Sequence, residues 1–308
     1  MPFNRILVIR GGAIGDFVLT LPALNALRDS CPEAHIEILG YRHIAALAEN
    51  RFYAQRVRSI EYGPLSTFFA KGSEPPAELA DYFAGFDLII SYLYDPDRIF
   101  EQNLRLCGVE NLICGPARID DSEHASRQLA RPIEESGIKV ADFAPKLFPS
   151  SADREFARDF LRTLSRPITA IHPGSGGDRK NWPLENWIKL GNEFLSGDAG
   201  SIVVVSGESD EQQARQLQSI WRNKRVLFAT NLSLPNLAAV LEDTPFFGHD
   251  SGISHLAAAA GAKCVLLFGP TDPRIWAPLN KNVSIICAPD GNLSSVSLAE
   301  VFDQTGRP

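Results

Sequence analysis

Gly248-His249-Asp250-Ser251-Gly252-Ile253-Ser254-His255-Leu256 runs straight into Ala257-Ala258-Ala259-Ala260-Gly261. It reads as the end of a strand, a small polar turn and the immediate start of a helix. Such a strand–turn–helix passage is half of a βαβ unit, the building block of a parallel sheet. The free N–H groups of Ser251, Gly252 and Ile253 would point at an anion, and the helix dipole favours one there. Gly252 keeps the approach open, and four alanines let the helix pack closely on its sheet. His255, one turn in, reads either as a ligand contact or as a structural hydrogen-bonding residue.

Working outward, short β-branched runs alternate with helical patterns along the whole chain. In the first half the spacing predicts strands over 5–10, 35–39, 57–61, 87–91 and 111–114, with helices over 23–29, 44–48, 77–83, 99–106 and 123–136. The second half predicts strands over 168–172, 202–206, 226–228, 244–248, 264–268 and 283–287. Its helices fall over 184–195, 208–220, 234–241, 253–260 and 298–302. Pro145-Lys146-Leu147-Phe148-Pro149-Ser150-Ser151 has two prolines and no periodicity, so it reads as a linker, with Asp153-Arg154-Glu155 opening a helix after it. The expectation is an α/β chain of two doubly wound, Rossmann-like domains, 1–148 and 149–308. In such sheets ligands bind outside the carboxyl ends of the strands. Two of them joined by one linker are expected to face a ligand cleft.

Composition narrows the function. A chain of 308 residues, 44% hydrophobic and 22% charged, is an ordinary globular protein long enough for two cores. Residues 1–150 hold 15 Lys and Arg against 20 Asp and Glu, and residues 151–308 hold 15 against 17. Neither half is basic, which excludes general nucleic-acid binding. Cys31, Cys107, Cys114, Cys264 and Cys287 form no CxxC pair and read as reduced core residues of a cytosolic protein. No apolar run approaches the ~20 residues of a membrane span. Ile6–Ile9 is too short for a signal-peptide core. The expected location is the cytoplasm, with room for peripheral contact at the inner membrane.

Three further clusters follow predicted strands. Arg10-Gly11-Gly12-Ala13-Ile14-Gly15-Asp16 has G-G-x-x-G spacing, not the G-x-G-x-x-G of a dinucleotide fold, and it lacks the Lys-Ser/Thr of a P-loop. Asp16 reads as a helix N-cap or as a carboxylate that accepts a proton from an attacking hydroxyl. Pro22 places the start of the regular helix near Thr20. His172-Pro173-Gly174-Ser175-Gly176-Gly177-Asp178-Arg179-Lys180-Asn181-Trp182-Pro183 is a turn carrying two cations. It reads as a solvated loop anchored by Trp182 or as a phosphate clamp with Lys180 as its point charge. Phe268-Gly269-Pro270-Thr271-Asp272-Pro273 places a hydroxyl and a carboxylate at a strand end. Asp95-Pro96-Asp97 matches the D-x-D of metal-dependent glycosyltransferases, but reads better as a turn and helix cap.

Together these residues resemble glycosyltransferase family 9, the heptosyltransferases of lipopolysaccharide core assembly. The match runs through Gly15-Asp16 with Leu21-Pro22-Ala23-Leu24, then His172-Pro173-Gly174 with Lys180-Asn181-Trp182-Pro183. It ends with Asp250-Ser251-Gly252-Ile253-Ser254-His255 and Gly269-Pro270-Thr271. Leu19 stands where heptosyltransferases often carry a histidine, and His249 where Asn or Val is usual. The resemblance implies a GT-B fold and an inverting transfer with neither cofactor nor metal. It makes Asp16 the general base and puts Lys180 on the donor phosphates. Asp250, Ser251, Gly252 and His255 would line the donor site, with Ser175, Glu211 and Thr271 nearby. The first domain is expected to hold the acceptor, through Arg10, Gly12 and Arg51, with Arg42, Arg56 and Arg58 as further cations. The implied partners are a nucleotide sugar, ADP-heptose in the best-known members, and a glycan or glycolipid acceptor. Rival readings are another nucleotide sugar and acceptor, a non-catalytic nucleotide- or glycan-binding protein, and a nucleotide-dependent oxidoreductase.

Overall fold

The computed structural model describes residues 3–196, 200–222 and 224–304. The chain divides into two units, Met1–Phe143 and Ala144–Pro308. The division precedes 148/149 because the linker is tied to the second unit. The Leu147 N–H donates to the Ala259 carbonyl at 2.8 Å, and Asn280 Nδ2 donates to the Pro145 carbonyl at 2.9 Å.

The first unit runs β1 (Arg5–Arg10), α1 (Ile14–Ser30), β2 (His35–Gly40), α2 (Arg42–Ala45), β3 (Arg56–Ser59) and a 3-10 turn at Gly63–Phe69. It continues with α3 (Ala77–Ala84), β4 (Leu88–Ser91), α4 (Ile99–Leu106), β5 (Leu112–Cys114) and α5 (Ala125–Glu135). The sheet is parallel, in the order β3-β2-β1-β4-β5, so the winding reverses between β1 and β4. Ile6, Leu7, Val8 and Ile9 are all buried, as a strand covered on both faces requires.

Helix α1 starts six residues earlier than Pro22 led us to expect. It runs unbroken from Ile14 through Pro22. Proline costs a helix one hydrogen bond and a steric adjustment. Phe17, Val18, Leu19, Leu21 and Leu24 are buried around it, and that apolar burial outweighs the local penalty.

The second unit runs α6 (Ser151–Leu161), β6 (Ile168–Ile171), α7 (Leu184–Leu195), β7 (Ser201–Ser206), α8 (Glu211–Ile220) and β8 (Val226–Thr230). It ends with α9 (Leu234–Leu241), β9 (Phe246–His249), α10 (Gly252–Ala259), β10 (Cys264–Phe268), α11 (Pro273–Trp276), β11 (Val283–Cys287) and α12 (Leu298–Asp303). Its parallel sheet is ordered β11-β10-β9-β6-β7-β8. Counted from β6 this is the 3-2-1-4-5-6 order of dinucleotide-type folds, reversing between β6 and β9. Trp182, Trp187, Phe194 and Trp221 fill the core on one face with Ile202, Val204 and Leu267.

The cysteine reading holds for two residues only. Cys31 and Cys264 are buried, whereas Cys114 and Cys287 are exposed. The exposed pair end β5 and β11, the outermost strands, where one side of the strand has no neighbour. The short helix α11 and the 3-10 turn at Gly63–Phe69 carry too few residues to show a period in sequence.

Candidate functional site

The winding reversals decide where the motifs go. In the second unit, the loop after β6 and the loop after β9 leave neighbouring strands at the point where the sheet changes direction. Residues some 70 apart in sequence therefore meet at one crevice, the place such sheets reserve for ligands.

Three predicted donor residues converge there on one atom. Lys180 Nζ donates to Asp250 Oδ2 at 2.6 Å, and Thr271 Oγ1 donates to the same oxygen at 2.7 Å. Asp250 is 9% exposed in its side chain and Lys180 35%, so the carboxylate anchors a cation that still reaches solvent. Thr271 joins from the loop after β10. Beside them Ser251 caps α10, its Oγ accepting from the Ser254 N–H at 3.3 Å, and Gly252 opens the helix. The remaining N–H groups at that end are available to an anion. His255 is buried in the first turn of α10.

The loop from His172 to Trp182 is fixed from beneath by His249. The Trp182 N–H donates to His249 Nε2 at 2.8 Å, and His249 Nδ1 lies 3.4 Å from the Gly174 carbonyl. One nitrogen accepts and the other donates, which suits the neutral ring. His249 is fully buried, and burial, with a smaller contribution from nearby His172, pushes its pKa down to about 3. Trp182 is itself buried and donates through Nε1 to the Val296 carbonyl at 2.9 Å. Trp182 thus anchors the loop, as one of its two sequence readings expects, and Lys180 farther along it is held by Asp250. Ser175 is turned inward, donating to Asn181 Oδ1 at 2.8 Å.

Glu211 sits at the start of α8 and is half in solvent, paired with Arg215 at 2.6 Å. Its neighbour Asp210 is the residue directed inward. Asp210 lies beneath the His172 loop, and a Cβ added at Gly174 would come within 2.1 Å of the Asp210 Cβ. Only glycine permits that approach. Asp210 carries no distinct signal in sequence: it follows β7, and only the sheet order puts that loop beside the one after β6.

In the first unit, Asp16 occupies the third position of α1 rather than its N-cap. Its Oδ2 accepts the Ala13 N–H at 2.8 Å, and Arg10 lies 3.6 Å from Oδ1. Asp16 keeps 37% of its side chain exposed. Gly12 has φ +94°, and a Cβ there would fall 2.7 Å from Asp16 Oδ2, so the turn and the carboxylate require glycine together. Arg10 is buried, donates through Nε to Thr20 Oγ1 at 3.0 Å, and contacts the Asp16 carbonyl. Burial lowers the Arg10 pKa, against the pull of Asp16. Arg51 stands apart from this cluster, donating to the Ala46 and Glu49 carbonyls at 2.9 and 2.7 Å.

Asp95 caps α4, accepting from Phe100 N–H at 3.2 Å and Glu101 N–H at 2.9 Å. Among the described residues no three His, Cys, Asp or Glu side chains gather as a metal's ligand set would.

Residues 122–304 match the model of glycosyltransferase family 9 (heptosyltransferase). The chain belongs to that family. Lipopolysaccharide heptosyltransferase 1 of Salmonella typhimurium is 30% identical over 157 residues, covering 50% of this chain and 49% of that protein. The chain spans about half the length of the first curated relatives it matches. Among solved structures, a family 9 glycosyl transferase from Veillonella parvula aligns with a TM-score of 0.80 at 19% identity, over 98% of this chain and 96% of that one. The E. coli ADP-heptose lps heptosyltransferase II aligns at 0.77 and 16% identity, over 98% and 97%. These likenesses show the fold, the two parallel α/β units of a GT-B family 9 protein. The stretches from His172, Asp250 and Gly269 lie within the matched residues, and Gly12 and Asp16 lie before them.

Proposed function

We propose that this family 9 chain is an inverting, metal-independent glycosyltransferase. It moves heptose from ADP-heptose onto a lipopolysaccharide core or related surface glycan, at the cytoplasmic side of the inner membrane. The observation that carries the reading is the convergence of Lys180 and Thr271 on Asp250, beside the amino end of α10. The family's description and the name of the Salmonella relative support heptose as the sugar.

An acceptor hydroxyl oxygen attacks the anomeric carbon as the bond from that carbon to the diphosphate breaks. The hydroxyl proton passes to the Asp16 carboxylate, and the bonding electron pair leaves with the diphosphate. Charge therefore grows on the leaving group. Lys180 and the free N–H groups at Gly252 and Ile253 stabilise it without reorganising, because Asp250 and the helix already hold them in place. Ser175 and His255 complete the donor side, and Arg10 and Gly12, which hold the turn around Asp16, shape the acceptor side.

Titration with ADP, UDP and GDP, then turnover with the matching nucleotide sugar, tests the reading. Selective binding of ADP is expected, with turnover unchanged by a chelator. Asp16→Asn is expected to slow transfer by ~10²–10⁴-fold with ADP affinity retained. Lys180→Ala should slow it by ~10²–10³-fold. Selective binding of UDP or GDP would move the assignment to another donor. Unchanged turnover in Asp16→Asn would remove the base.

A further inference from the structure

A buried polar chain runs behind the amino end of α10, joining His172 and Ser251 of the family stretches to Asp210, which lies outside them. His172 directly follows β6 with its side chain only 7% exposed, and its Nε2 lies 3.3 Å from Asp210 Oδ2, in a side chain 2% exposed. On the other side of the ring, His172 Nδ1 lies 3.4 Å from Ser251 Oγ. Asp210 is in turn held by the Gly207 N–H, which donates to Oδ1 at 2.7 Å. Three loops, after β6, β7 and β9, are thus linked as Asp210–His172–Ser251.

Burial on its own would raise the Asp210 carboxyl, yet His172 and the Gly207 N–H more than offset it, and the carboxyl lies below the usual range. Asp210 is therefore charged. Desolvating a charge this fully is costly unless it has work to do on a neighbour. Among the described residues Oδ2 receives no hydrogen bond of good geometry, so the nearby His172 Nε2 is the group it faces. Gly174 is the concession that lets Asp210 in, since any Cβ there would overlap it.

We propose that His172 is a positioning residue for the donor diphosphate: backed by Asp210, its ring fixes the Ser251 hydroxyl at the amino end of α10. Ser251 Oγ is held between His172 Nδ1 and the Ser254 N–H. A second hydroxyl, Ser254 Oγ, is committed to the His249 carbonyl. Ser251 is thereby kept in one rotamer as the cap of α10, so a phosphate meets ordered N–H groups at the start of that helix. This assignment rests on the proposed donor site in the second unit, and it extends that site to two residues with no expected ligand contact.

The test is calorimetric binding of ADP, inorganic pyrophosphate and adenosine to the full chain, before and after substitution. His172→Leu and Asp210→Asn are each expected to weaken ADP and pyrophosphate about tenfold, the scale of one hydrogen bond to a charged group, with adenosine affinity unchanged. His172→Gln, which can still reach Ser251, should recover part of the loss. With Ser251→Ala as background, His172→Leu should cost nothing more, because its route to the ligand is gone. Full additivity with Ser251→Ala, equal weakening of adenosine, or wild-type pyrophosphate affinity in both single variants would overturn the assignment. If His172→Leu fails to fold, Asp210→Asn alone carries the same comparisons. Wild-type protein that binds none of these probes would instead defeat the donor-site reading itself.

Discussion

His249 shows how one buried side chain can set the behaviour of a loop. It is neutral because burial forbids the charge, and both ring nitrogens are engaged by the His172–Trp182 loop. The sign of its pH effect follows. An unfolded histidine titrates near ~6.5, whereas folded His249 resists protonation down to about 3. Above the unfolded value both states are neutral and the contribution to stability is complete. As pH falls below it, the unfolded chain binds a proton that the folded chain refuses, so stability declines through the window toward about 3. Urea midpoints should therefore drop from pH 7 to pH 5, and His249→Asn should flatten that slope. Equal slopes in the two proteins would mean that other groups govern it. The sequence flagged His249 only as a departure from the usual Asn or Val. Its work, accepting one N–H and facing one carbonyl, depends on a loop 67 residues away and has no local signature.

At the scale of elements, most of the fold could be read directly. The strands β1, β10 and β11 and the helices α4, α7 and α9 fall where the periodicity placed them. Two misses differ in cause. Pro22 is a local signal that burial overruled, whereas Ser150 with Asp153 is itself a local helix start hidden among the prolines of the expected linker. The buried face of α1 carries the helix through its proline. In the expected linker, Ser150 instead caps α6: its Oγ accepts the Asp153 N–H at 3.2 Å, and its own N–H donates to Asp153 Oδ2 at 2.7 Å. Helix α6 packs on α9 at the point where the second unit begins. Losing that reciprocal cap should cost about 1 kcal/mol. Ser150→Ala is thus expected to lower the urea midpoint with no change in denaturant slope, while Ser150→Asp should restore most of it. A Ser150→Ala midpoint within error of wild type would show that packing alone starts the helix.

At the scale of the whole chain, two sheets reverse their winding at β1/β4 and β6/β9, and the four motifs that carry the family resemblance follow β1, β6, β9 and β10. This explains why the donor cluster was legible and its support was not. Lys180, Asp250, Ser251 and Thr271 belong to loops that name themselves by glycine, proline and charge. Asp210 sits in a plainer stretch after β7, and sequence reasoning chose Glu211 beside it. Topology selects between the two, because only the inward neighbour reaches the loop after β6. The same topology predicts where a nucleotide will leave its mark. A ligand that binds only the folded state slows the local openings through which amides exchange, most strongly at the segments it touches. Added ADP should therefore give its largest hydrogen-exchange protection at 172–182, 249–255 and 269–272. The turn at 10–16 in the first unit should gain less until an acceptor is also present. Protection concentrated at 10–16 with ADP alone would place the nucleotide in the first unit and exchange the roles assigned to the two sheets.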